Sequence, residues 1–160
     1  MPTCLRRFSQ APDNVSSTDH IVGSEKLVAA LGCWPSFHDA EVISVSAQRA
    51  VPPALGGASV KLVVHVRKYE ARGEGTAQYE LALVNSVLAT FTCTHVAGLE
   101  LSQFNNQNVI DSLWVREEPS VEAEGSPLVL TIEPSWGVGG TVRCAAVELS
   151  TIQELPLADA

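Results

Sequence analysis

Basic residues are scarce in this chain: 10 Lys and Arg stand against 18 Asp and Glu over 160 residues, a formal charge of -8. A protein that follows a phosphate backbone needs clustered Lys and Arg to release counterions, so nucleic acid is not an expected partner. Cysteine is sparse too. Cys4, Cys33, Cys93 and Cys144 are widely spaced and form no C-x-x-C pair, which leaves neither a zinc ribbon nor a redox dithiol to expect. Cys93 and Cys144 fall inside apolar alternations, where a free thiol behaves as a small hydrophobe, and nothing in the sequence supports a disulfide between them. No apolar run reaches the roughly 20 residues of a membrane span. Arg6-Arg7 leads into Ser9-Gln10-Ala11-Pro12-Asp13-Asn14 and not into the apolar stretch of a signal peptide. The expectation is a cytoplasmic, reduced protein with no membrane association. Catalytic signatures are missing as well: there is no G-x-S-x-G elbow, and no cysteine has a histidine beside it. Trp136-Gly137-Val138-Gly139-Gly140 precedes a strand pattern and not a helix, so it reads as a hairpin turn and not as a dinucleotide cradle. No catalytic residue, cofactor or metal is expected.

What is present is a core. A hydrophobic fraction of 46% with 18% charged residues is that of a folded globular chain, and this length fits one domain. Residues 1–19 are polar and aperiodic and read as a loose arm; residues 20–160 read as a single globular domain. Ser24 is placed to cap a short helix over residues 25–31, with Leu27, Val28 and Leu31 as its apolar stripe and Gly32 as its stop. After residue 42 the period falls to two. Ile43, Val45 and Ala47 alternate with Ser44, Ser46 and Gln48, and Val60, Leu62, Val64 and Val66 share a face. Further strands are expected over residues 79–84 and 87–93, separated by a tight turn at Asn85-Ser86, then at 99–101, 109–115, 128–132 (ended by Pro134) and 142–149. Seven or eight short strands after one helix predict a mainly β (α+β) fold: an antiparallel β-sandwich or a strongly curved sheet with the helix over one end.

The densest chemistry lies at Trp34-Pro35-Ser36-Phe37-His38-Asp39-Ala40-Glu41-Val42, between helix and first strand. His38-Asp39 resembles a metal-hydrolase dyad, and His38, Asp39 and Glu41 form the alternative reading of a metal-dependent hydrolase. In an extended segment, however, His38 and Asp39 point to opposite faces, while Asp39 and Glu41 share one. The competing readings are a structural junction and a recognition segment. Phe104-Asn105-Asn106-Gln107-Asn108 is either turn chemistry or a polar recognition loop, with Asn105, Gln107 and Asn108 as its candidates. Glu117, Glu118, Glu122 and Glu124 form an acidic loop that is either a solvated edge or a contact for a basic partner.

Together, Trp34 to Val42, Phe104-x-x-Gln107-Asn108 and Glu133-Pro134-Ser135-Trp136-Gly137 resemble the signature of an immunity-protein family of bacterial polymorphic toxin systems, in matching order over about residues 27–150. The resemblance implies a small, non-enzymatic, mostly β antitoxin that binds and neutralises a cognate toxin, with Trp34, Phe37, His38, Asp39, Glu41, Asn105, Gln107, Asn108 and Trp136 as motif or binding residues. It also implies that motif residues mark the fold, because such proteins choose toxins through variable surfaces. A small-ligand-binding or self-associating β module remains a further alternative, and the sequence leaves monomer or dimer open.

Overall fold

The computed structural model describes residues 17–52, 56–118, 125 and 127–157. Of the expected arm, residues 1–16 lie outside the described residues, and Ser17–His20 forms a 3-10 turn. Strand β1 (Ile21–Val22) and helix α1 (Glu25–Leu31) come next. They are followed by β2 (Ala40–Arg49), β3 (Ala58–Arg72), β4 (Glu80–Thr94), β5 (Gly98–Ser102), β6 (Val109–Glu117), β7 (Leu128–Trp136), β8 (Gly139–Cys144) and β9 (Ala146–Glu154). The fold is mainly β, as the alternation predicts. Among the described residues the strands form one open sheet in the order β1-β9-β4-β3-β2-β6-β7-β8-β5, antiparallel throughout except for the β1–β9 pair.

That sheet curls over its apolar face. Strands β4 and β8 are remote in the order yet meet across the core, where the Cys93 and Cys144 thiols share a hydrogen bond; this bond, with burial, pushes the Cys93 thiol far above its ordinary range. Both thiols are free. The amide of Ala145 donates to the Thr94 carbonyl at 3.0 Å and turns the chain from one wall into the other. The expected last strand over 142–149 is therefore two strands, β8 and β9. Inward positions follow period two: Val60, Leu62, Val64 and Val66 on β3 and Val87, Ala89, Phe91 and Cys93 on β4 are all buried.

Helix α1 is too short to persist alone. It buries Leu27 and Leu31, and three side chains tie it to the sheet: Lys26 Nζ donates to the Leu149 carbonyl (3.0 Å), Asn85 Nδ2 to that of Ala30 (2.6 Å) and Lys68 Nζ to that of Leu31 (2.9 Å). Gly32 ends it as expected, taking the left-handed conformation (φ 80°) that lets its amide reach the Val28 carbonyl at 2.7 Å. The expected Ser24 cap does not form, since Ser24 is itself helical in backbone and its hydroxyl donates to the Thr18 carbonyl.

Four other expectations change. The β2–β3 register shifts between Val42 and Ser44, so Ile43 is extruded into solvent instead of facing the core. Asn85-Ser86 is not a turn; it lies inside β4 beside a second shift, where the Asn85 amide is spent on α1. Pro134 does not end β7, because bulges opposite Ile110 absorb its missing donor and the strand runs on to Trp136. Cys33, expected as a reduced thiol, is disulfide-bonded.

Candidate functional site

The three sequence segments converge at one end of the β6–β7 pair. In residues 34–39 the chain must bury Phe37 while climbing from helix to sheet. It does so with two left-handed residues, Phe37 (φ 61°) and Asp39 (φ 63°). The Phe37 ring packs edge-on between Trp34 (5.5 Å) and Phe91 (6.0 Å). The Asp39 amide donates to the Ile110 carbonyl at 3.1 Å, and the Val42 amide to that of Asn108 at 2.9 Å, which sews the segment to the start of β6.

This turn overturns the extended reading of His38 and Asp39. Both side chains emerge on the same side: His38 Nδ1 lies 2.9 Å from Asp39 Oδ2, and Nε2 lies 3.5 Å from Asp111 Oδ1. Asp111 was not legible as a partner, because nothing in sequence links it to a residue 73 positions earlier. Glu41 goes elsewhere. It pairs with Arg67 on β3 at 3.4 Å, opposite His65. His38, Asp39 and Glu41 therefore do not form a ligand set. An imidazole gives a metal one lone-pair nitrogen, and here both nitrogens face carboxylates. Among the described residues no group of three or more His, Cys, Asp or Glu side chains is placed to hold a metal ion.

The asparagine loop is organised from within. Asn108 is buried, 4% exposed. Its Oδ1 accepts from the amides of Asn105 (2.9 Å) and Val138 (3.3 Å), and its Nδ2 donates to the Asn105 carbonyl (2.7 Å). Asn105 turns the loop in the same way, its Oδ1 accepting from the Gln107 amide (2.8 Å) and its Nδ2 donating to the Gln103 carbonyl (2.9 Å). Gly137, at φ 85°, lies so close to the Gln107 carbonyl and Asn108 that no side chain fits there. Gln107 itself is exposed.

Against this scaffold Trp136 is 64% exposed, an unusual state for so large a ring, and Phe104 is 53% exposed on the facing loop. A shallow cleft of about 200 Å³ separates loop from strand, lined by Gln103, Asn105, Pro134, Ser135, Trp136 and Gly137. Glu133, held by the Ser112 hydroxyl at 2.6 Å, joins Asp39 and Asp111 in giving this end exposed carboxylates. This end of the sheet thus exposes two large rings, Trp136 and Phe104, together with three carboxylates, chemistry suited to Lys or Arg side chains.

The acidic loop is different. Glu118 is committed within the chain, 2.8 Å from Arg116 and 3.6 Å from Arg143, and its carbonyl accepts from Arg143 as well. Glu117 stands 4.0 Å from His20. Glu122 and Glu124 lie outside the described residues.

Sequence reading also missed a pair on the outer face of β3 and β4. His65 Nε2 lies 2.7 Å from the Ser86 hydroxyl, and burial, then the Arg67 guanidinium, holds the imidazole below its ordinary range. The only signal was a histidine at an outward strand position. No helix of the described residues is long and apolar enough to cross a membrane.

Neither the curated proteins nor the solved structures contain a match to this sequence. The sequence model of the Immunity protein 50 (Imm50) family matches residues 23–155, which takes in α1, β2 to β9 and all three converging segments; the chain belongs to that family.

Proposed function

We propose that this chain neutralises a cognate bacterial toxin by binding it. The single observation that carries this reading is the family match over residues 23–155. The binding end we assign to Trp136, Phe104 and the carboxylates of Asp39, Asp111 and Glu133, which would meet a basic patch beside the toxin's active site and occlude it. Exposed Trp is the residue type most often found as an interface anchor, and a net charge of -8 suits a basic partner by raising the encounter rate. The buried members of the signature, Phe37 and Asn108, hold that end together and do not touch the toxin.

Calorimetric titration with the toxin domain encoded beside this gene tests the proposal. Saturable one-to-one binding that weakens at least tenfold in Trp136→Ala supports it. No heat and no co-elution sink the binding reading altogether, whereas undiminished binding by Trp136→Ala removes only the assigned end.

A further inference from the structure

Strands β3 and β4 outrun their neighbours. Strand β2 stops pairing with β3 at His65, and β9 stops pairing with β4 at Val87. Beyond these points residues 67–72 and 80–86 pair as strands only with each other among the described residues, as a two-stranded ribbon closed by the turn at Gly73 to Gly75. A ribbon of two strands is marginal in water unless something covers a face.

Its two faces differ sharply. Tyr69 pairs with Leu83 and Ala71 with Leu81, so these four side chains share the outer face. The inner face carries Lys68, Glu70, Arg72 and Glu80, with Lys68 and Glu70 bridged at 3.3 Å. The outer face is left bare: Tyr69 is 48% and Leu81 57% exposed, and Tyr79 at the tip is 55% exposed. Exposed apolar surface of this kind, rimmed by charges on a projecting element, marks an interaction site.

We propose that this ribbon is a self-association surface, on which a second copy of the chain stacks its own outer face across a two-fold axis. Charge decides the occupant. The chain as a whole carries -8, so copies repel through most of their surface, but in the ribbon Arg67, Lys68 and Arg72 cancel Glu70, Glu74 and Glu80. Here two copies meet without repulsion, and a self-complementary patch is what a two-fold contact requires. Half-exposed rings and leucines amount to roughly 400 Å² per copy, about half the area of a standard interface. The dimer is accordingly weak and reversible. It does not depend on the immunity reading.

Sedimentation equilibrium over roughly 10 µM to 1 mM tests this. The expected result is a weight-average mass that rises towards twofold across the range for the natural chain and for Glu70→Ser on the inner face, and stays monomeric in Leu81→Glu. Tyr69→Lys gives the same test independently should Leu81→Glu fail to fold by circular dichroism. A mass that is flat to the top of the range overturns the proposal, as does association of both outer-face variants at the natural strength. A monomer whose toxin binding is lost in Leu81→Glu also overturns it and gives the ribbon to the toxin.

Discussion

Replacing Asn108 by Ala separates holding the fold from meeting a partner. Asn108 makes three side-chain hydrogen bonds to backbone, accepting from Asn105 and Val138 and donating to the Asn105 carbonyl. Alanine leaves all three groups unpaired, and the Val138 amide is in the interior, out of reach of water. At about 1 kcal/mol for each bond the loss is roughly 3 kcal/mol. For a chain of this size that lowers the melting temperature by roughly 6 to 12 °C. Urea unfolding followed by circular dichroism measures it, with an unchanged slope showing that the same surface unfolds. Because only 4% of Asn108 is exposed, the variant, held below its melting point, should bind toxin like the natural chain. A stability loss under about 1 kcal/mol would refute the scaffold reasoning. So would a fully folded variant that no longer binds.

Three other perturbations separate structure from surface. Phe37→Ala removes a ring packed between Trp34 and Phe91 and should cost about 3 to 5 kcal/mol in the same urea assay. Trp136→Ala should change stability by less than about 0.5 kcal/mol while losing about 2 kcal/mol of toxin affinity, the mark of an interface anchor. For His65, burial and Arg67 hold the folded imidazole below the ordinary value of 6.5, with Glu41 pulling the other way. The unfolded chain then takes up the proton more readily. Stability is therefore full above pH 6.5 and falls as the pH drops below it. The urea midpoint of the natural chain should decline from about pH 7 to about pH 5, and that of His65→Gln should decline less.

What the sequence makes legible is what local rules control. Gly32 announces the end of α1, and the run of Val60, Leu62, Val64 and Val66 announces a buried strand face, because periodicity reports burial directly. The misreadings share a cause. Ile43 faces solvent because it is the extra residue at the β2 bulge, whereas Val45 beyond it packs on the core as expected, and alternation alone cannot see a bulge. Asn85-Ser86 has the composition of a turn, yet the amide is spent on a helix carbonyl 55 residues away. The candidate site suffered most. His38 and Asp39 meet because Phe37 and Asp39 adopt a left-handed backbone that bulky residues seldom take, and the burial of the Phe37 ring compensates for it. Asp111 reaches His38 only through the fold. The ribbon of β3 and β4 was hidden as well, since each strand is ordinary and only the early ends of β2 and β9 leave its outer face bare.

Co-expression tests the central claim most directly: the toxin domain encoded beside this gene is induced in bacteria carrying the natural chain, a Trp136→Ala/Asp111→Ala variant or an empty vector, and colonies are counted. Survival with the natural chain, death with the vector, and impaired protection by the folded variant are the predicted outcome. Equal killing in all three would contradict it.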